Sequence, residues 1–262
     1  MKLALHGATG RMGLSIARIA AAARDIQLVG AVCGSNDPGV GRDVGELAGV
    51  GTLGVECSAD LGSSLLGADV VIDFSAAPAV AGLATCAARQ RVALVSGTTN
   101  LDAGANAALD AAAEQVPVLW APNMSLGVQV LAELLEQALR RLGPDFDAEI
   151  IEIHHRRKVD SPSGTATRLA DVVREVRPQT RELHGRDGDV GARTRDELGV
   201  FGVRGGDVVG DHTVFLLGPS ERIELTHRAT DRGLFAQGAV RAAQFLCGKR
   251  AGRYTIADVL GG

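Results

Sequence analysis

The segment Gly7-Ala8-Thr9-Gly10-Arg11-Met12-Gly13 constrains this chain more than any other. A short apolar run at residues 2–5 precedes it. A helical pattern follows, in which Ile16, Ile19, Ala20 and Ala23 share one face, and residues 26–33 then read as a second strand. Strand, glycine turn, helix and strand in that order form the unit that binds the pyrophosphate of a dinucleotide. One glycine makes the tight turn, a second lets the backbone approach the phosphates, and a third lets helix and strand pack closely. The helix start adds N–H groups and partial positive charge, and Arg11 adds a full charge. The spacing is G-x-x-G-x-x-G rather than the commoner G-x-G-x-x-G, so a plain glycine-containing turn remains the alternative. Gly7, Thr9, Gly10, Arg11 and Met12 are the candidate cofactor contacts of this loop.

The alternation continues. Residues 61–66 read as helix, 69–74 as strand, 92–96 as strand, 101–114 as an alanine-rich helix and 116–120 as strand. Continuous apolar strands between helices predict a parallel sheet covered on both faces. Past Trp120 the pattern changes. Residues 126–142 predict an amphipathic helix with Val130, Leu131, Leu134, Leu135, Ala138 and Leu142 on its buried stripe. Residues 148–155 predict a strand, the runs within 200–226 an antiparallel or mixed sheet, and 234–246 a helix. The expected fold is therefore α/β: a Rossmann-like parallel-sheet domain, then an α+β domain from a boundary near Pro122. The charged, glycine-rich stretch 186–195 is expected to be a mobile loop.

Composition excludes several classes of function. Lys and Arg total 27 against 31 Asp and Glu, a net charge of −4, and no basic block offers a footprint for nucleic acid. No apolar stretch reaches the roughly 18 residues of a membrane helix, and the N-terminus turns polar too soon for a signal peptide. The four cysteines lack paired spacing, and the histidines show no ligand spacing, so a reduced cytoplasmic protein without metal is expected.

At the end of the second strand, where NAD-preferring folds place an acid for the ribose hydroxyls, stands Cys33; the nearest acid is Asp37. A thiol neither rewards NADH nor repels the extra phosphate of NADPH. NADPH is therefore expected to serve at least as well as NADH.

Residues 149–166, Glu-Ile-Ile-Glu-Ile-His-His-Arg-Arg-Lys-Val-Asp-Ser-Pro-Ser-Gly-Thr-Ala, hold the densest chemistry. His154 and His155 end a strand and point to opposite faces. Arg156, Arg157 and Lys158 suit an acidic small molecule, and residues 161–165 start a helix that forms a second anion site. A solvated surface loop is the competing reading of the same charges.

This segment resembles the signature of the dihydrodipicolinate reductase family, which has Glu, Glu, His, Lys, Asp and then Pro-Ser-Gly-Thr-Ala at this spacing. The glycine loop is similar to the family's cofactor loop. So are Gly97-Thr98-Thr99 and Ala121-Pro122-Asn123-Met124-Ser125 to its nicotinamide-side segments. Residues 204–213 and 235–241 extend the likeness nearly end to end. The resemblance implies NAD(P)H-dependent reduction of 4-hydroxy-tetrahydrodipicolinate to tetrahydrodipicolinate in lysine and diaminopimelate biosynthesis, with NADPH and/or NADH as cofactor. It implies His154 as proton donor and Lys158 as carboxylate clamp and catalytic group. His155, Gly164 and Thr165 would complete the carboxylate contacts, and Asn123 and Ser125 would lie at a hinge. It implies domains at 1–122 plus about 233–262 and at 123–232, and a homotetramer built through the second domain's sheets. Cys33, the missing arginine after Phe74 and Asn100 in place of glycine depart from the pattern and bear on cofactor preference. An amino-acid dehydrogenase of similar layout and a non-catalytic dinucleotide sensor are the alternatives; the latter has no need of a His154–Lys158 pair.

Overall fold

The computed structural model describes residues 1–261. The chain divides into two compact units: Met1–Met124 together with the segment from Gly233 onward, and Ser125–Arg232. The first unit begins with β1 (Lys2–His6), α1 (Arg11–Ala22), β2 (Gln27–Val32), α2 (Val44–Ala48), β3 (Cys57–Ser58) and α3 (Leu61–Leu65). It continues with β4 (Val70–Asp73), α4 (Ala77–Gln90), β5 (Ala93–Ser96), α5 (Ala103–Ala113) and β6 (Pro117–Trp120). The second unit holds α6 (Leu126–Leu142), β7 (Asp147–His154), α7 (Gly164–Val176), β8 (Arg181–Leu183), β9 (Glu197–Arg204), β10 (Gly210–Leu217) and β11 (Arg222–Ala229). The chain then returns to the first unit as α8 (Gly233–Leu246), β12 (Gly252–Tyr254) and α9 (Ile256–Leu260).

The first unit is a seven-stranded parallel sheet in the order β12-β6-β5-β4-β1-β2-β3. β4 and β5 are buried at every position, which is why they read as apolar up to the Asp73 and Ser96 that end them. The returning helix α8 lies so close to Met124 that a Cβ on Gly238 would sit 1.8 Å from the Met124 carbonyl oxygen. Only glycine fits there.

The second unit is a five-stranded mixed sheet in the order β11-β10-β7-β9-β8. β7 and β10 alternate strictly between buried and half-buried positions. Ala148, Ile150, Val214 and Leu216 pack with α6 and α7 in one core, and Ile151, Ile153, Phe215 and Leu217 lie on the opposite face.

Two expectations are corrected. Val130 and Leu134 of α6 are exposed, at 40% and 47%, while Val128, Leu131, Ala132, Leu135 and Leu139 form the buried line. A 3.6-residue period admits two overlapping stripes through Leu131 and Leu135, and the sheet selects the one carrying Ala132 and Leu139. Residues 186–195 have no regular structure, but Arg186 and Arg193 fasten the stretch at two points. Arg193 bonds to Asp147 (2.6 Å), Glu149 (2.9 Å) and the carbonyls of Ala148, Thr194 and Glu197, while Arg186 reaches Glu149 and Glu197.

Candidate active site

In the first unit the glycine loop is seated on the end of β2. The N–H groups of Gly7 and Ala8 both donate to the Val32 carbonyl, at 3.0 and 2.9 Å. Gly7 has φ +77°, and a Cβ there would lie 2.5 Å from the Phe74 carbonyl oxygen. A Cβ on Gly13 would lie 2.3 Å from the Gly7 oxygen, so α1 can approach the loop only without a side chain at 13. Gly10 is different. It is the N-cap of α1 in extended conformation (φ −71°), with room limited only by the Gly7 oxygen at 3.2 Å. No side chain caps α1 and no acid lies in its first turn, which starts with the exposed Arg11 and the half-buried Met12. Such a helix start suits a phosphate, and the cradle that glycine leaves open suits close backbone approach.

Thr98 and Gly97, among the remaining expected contacts of this unit, are structural as well. Thr98 donates its hydroxyl to Asp73 (2.8 Å), as does Ser96 (2.6 Å), and His6 Nδ1 lies 2.8 Å from the other carboxylate oxygen. Burial alone would raise the Asp73 pKa; the bonds and charge of His6 and the bonds from Ser75 and Ser96 hold it below the ordinary value. Trp120 Nε1 donates to the Thr98 carbonyl at 2.8 Å. Gly97 is required by the Phe74 ring, which a Cβ would meet at 2.2 Å. Thr99 and Pro122 are exposed, Asn123 is half-buried, and Ala121 and Met124 are buried. Asn100 holds φ +59°, a conformation asparagine tolerates, so the usual glycine is dispensable there. Cys33 is buried, and burial first, then the neighbouring Asp37 charge, push its thiol pKa up.

In the second unit His154, the last residue of β7, is 8% exposed, and its Nδ1 lies 2.5 Å from Glu152 Oε2. Glu152 is fully buried. Arg204 of β9 grips both of its oxygens at 2.7 Å, and the Ser163 N–H donates to Oε1 at 3.0 Å. Burial works against its charge, but Arg204 and His154 outweigh that and keep its pKa low. The acid therefore stays ionised and fixes the ring's tautomer: Nδ1 carries the proton toward Glu152, and Nε2 is left for chemistry. Ser163 caps α7 through its hydroxyl to the Ala166 N–H (3.2 Å), and that hydroxyl also lies 2.9 Å from His212 Nε2. The His212 ring stands edge-on to His154 at 5.1 Å. Burial, then the charge of His154, lowers the His212 pKa to about 4, so it is neutral.

Gly164 and Thr165 open α7, whose first turn has no acid. Lys158 is 19% exposed at its side chain and pairs with Asp160 at 2.8 Å. His155 and the exposed Arg157 line a separate cavity of about 310 Å³ with Asp207, Val209, Asp231 and Arg232. Desolvation, then the nearby Arg232 and Arg157, lowers the His155 pKa. The structure thus brings His154 and the start of α7 together through Glu152, and places His155 on different neighbours. Sequence reasoning gave no role to Glu152, Arg204 or His212; it placed Ser163 in the helix start, and Ser163 is the N-cap of α7. The signal for Glu152 was present: it stands two residues before His154 and so on the same strand face.

A parallel sheet with a glycine cradle at its first turn, in one chain with a buried, acid-oriented histidine beside a helix start, defines an oxidoreductase that uses a pyridine nucleotide. Residues 1–124 match the family described as "Dihydrodipicolinate reductase, N-terminus", and residues 127–260 match "Dihydrodipicolinate reductase, C-terminus". The chain is 50% identical over 265 residues to the 4-hydroxy-tetrahydrodipicolinate reductase of Anaeromyxobacter sp. (strain Fw109-5), covering 100% of this chain and 98% of the relative. It is 46% identical over 266 residues to that of Myxococcus xanthus (strain DK1622), covering 100% and 98%. Among solved structures it is similar to a dipicolinate-bound dihydrodipicolinate reductase from Paenisporosarcina sp. TG-14, with a TM-score of 0.79, 21% identity and 97% of each chain covered. The chain belongs to the dihydrodipicolinate reductase family.

Proposed function

We propose that the residues of this site divide the labour of the family's reaction, the reduction of 4-hydroxy-tetrahydrodipicolinate to tetrahydrodipicolinate in the lysine and diaminopimelate pathway. The contact between His154 and Glu152 carries the assignment, because it orients a histidine for one-sided proton transfer inside the family signature. When bound, the reduced nicotinamide, from NADPH and/or NADH, supplies the hydride. The glycine cradle at Gly7, Gly10 and Gly13, with Thr9, Arg11 and Met12, would hold the pyrophosphate. Gly97, Thr98 and Thr99 and residues 121–124 would hold the nicotinamide end.

As the imidazolium, with one proton on Nδ1 held by Glu152 and the other on Nε2, His154 gives the Nε2 proton to the substrate and is left as the neutral Nδ1–H ring, which completes the gain of one hydride and one proton. Glu152 holds the ring still and compensates its charge. Lys158 gives up Asp160 for a substrate carboxylate, an exchange of one oxygen anion for another at the same ammonium. The N-terminus of α7, at Gly164 and Thr165, takes carboxylate oxygens as helix starts do, and His155, in its own cavity with Arg157 and Arg232, would meet a different carboxylate oxygen. The dipicolinate on the Paenisporosarcina enzyme is a dicarboxylate of the kind these groups suit.

A homotetramer fits the sheet face carrying Ile151, Ile153, Phe215 and Leu217, and four free thiols fit a reducing cytoplasm. The reading is tested by following reduced nicotinamide absorbance with freshly made dihydrodipicolinate-synthase product as substrate. Cofactor binding without oxidation would reject catalysis in favour of a sensor, and turnover of oxaloacetate with ammonia instead would indicate an amino-acid dehydrogenase.

A further inference from the structure

We propose that Asp37, fastened to the glycine loop by Thr9, is the acid that reads the adenosine ribose and makes NADH the preferred cofactor. This rests on the dinucleotide reading of the first unit. The end of β2 is where a parallel sheet of this kind meets that ribose, and the position at its tip is Cys33, a buried thiol with no charge to offer. Asp37 lies past it in the chain, and the structure folds it back onto the loop. Its Oδ2 accepts from Thr9 Oγ1 at 2.7 Å, and its Oδ1 accepts from the Gly39 N–H at 2.7 Å. Thr9 belongs to the cradle whose Gly7 and Ala8 N–H groups bond to Val32, so the carboxylate stands between the phosphate loop and the end of β2.

Three properties suit the role. Each carboxylate oxygen is held once, leaving further lone pairs on both for a pair of ribose hydroxyls. The group is half-buried, neither sealed away nor free to swing out. The Thr9 and Gly39 bonds favour its ionised form, so it is charged throughout the physiological range. A fixed anion there accepts from a 2′-hydroxyl and repels a 2′-phosphate. Arg11 and Arg42 are the cations that could oppose this, and neither is among the groups that act on the Asp37 carboxylate, which are Thr9 and Gly39. On this proposal the preference runs opposite to the expectation drawn from Cys33 alone. The missing acid is supplied from four residues further on.

The test is direct binding of NADH and NADPH by calorimetry to the intact wild-type protein, Asp37→Asn and Thr9→Val, without substrate. A hydrogen bond to a charged group changes affinity roughly ten- to a hundredfold, so wild type should bind NADH tighter by about that factor. Asp37→Asn should bring the two affinities together, chiefly by strengthening NADPH. Thr9→Val keeps the acid but removes its fastening, and should lose part of the discrimination. Wild type binding NADPH as tightly as NADH, or an unchanged ratio in folded Asp37→Asn, would overturn the proposal while leaving the dinucleotide reading intact. Failure of wild type to bind either nucleotide would instead reject the cofactor site itself.

Discussion

His154 Nδ1 lies 2.5 Å from Glu152 Oε2, and Arg204 holds both oxygens of the same acid at 2.7 Å. The histidine is thus oriented by an anion that is itself oriented by a cation from the neighbouring strand. Glu152→Gln should keep the side chain's shape but present an NH₂ where an acceptor is needed, either to the ring or to Arg204. Carboxylates that orient metal-bound histidines are worth about 10–100-fold, and the same is expected of one that orients a proton-donating ring. A fall in kcat of that order is expected, with a smaller change in KM and an altered pH–rate profile. Unchanged kcat in a folded variant would show that Glu152 serves packing only.

His154→Ala should fold normally and lose roughly 10²–10⁴-fold in kcat, the contribution of general acid catalysis. Lys158→Ala should lower kcat and raise KM together, because the ammonium holds the substrate in ground and transition states alike. Steady-state kinetics with circular dichroism as the folding control measures both. A surface-loop role for this segment predicts near-normal turnover instead.

The three loop glycines should not be equivalent. Gly13→Ala forces a Cβ to 2.3 Å from the Gly7 oxygen, and Gly7→Ala adds a positive φ to a 2.5 Å clash with Phe74. Both should weaken nucleotide binding and lower thermal stability. Gly10→Ala meets its nearest atom at 3.2 Å with an ordinary φ, and should be the mildest of the three. Calorimetry with reduced nicotinamide nucleotide, and with dipicolinate as a control ligand, distinguishes a local loop effect from general unfolding. Equal effects at 7, 10 and 13 would contradict the geometry.

His212 makes stability depend on pH. Its folded pKa of about 4 lies below the ordinary 6.5, so the unfolded chain binds the proton first as the pH falls. Stability is complete above about 6.5 and declines from there to about 4, below which both states are protonated. A depression of this size corresponds to about 3 kcal/mol at most. His155 and His227, also lowered by desolvation, act in the same direction. Urea midpoints at pH 7.5 and 4.5 should differ clearly in wild type and less in His212→Gln. An equal difference in the variant would assign the acid sensitivity to other groups.

The sequence exposed the parallel sheet because β4 and β5 are buried on both faces and are written in almost nothing but apolar residues. It exposed α6 through its periodicity, α7 through its capping start, and the glycine cradle through its spacing. The short β3, β8 and β12 escaped because two or three residues carry no period. The stripe of α6 was misread by part of a turn, since a periodic pattern does not say which of two adjacent lines meets the sheet. Within the site, His154, Lys158 and the start of α7 were legible because they are close in sequence. Arg204 and His212 reach Glu152 and Ser163 across 52 and 49 positions, through strand pairing that no local pattern encodes. Asp37 was noticed but not placed, because a loop's return onto Thr9 depends on hydrogen bonds rather than on hydrophobic order.

The first unit is discontinuous: β12 pairs with β6, and α8 packs on Met124, across the whole length of the second unit. During synthesis the ribosome delivers residues 1–124 well before the strand and helix that complete their sheet. At ~5–20 residues per second, the early part waits several seconds with the edge of β6 unpaired and the seat of α8 uncovered. Residues 125–232 lie together in the chain and need nothing that comes later. The unit made second is therefore the first that can finish, and the nucleotide half of the enzyme matures last.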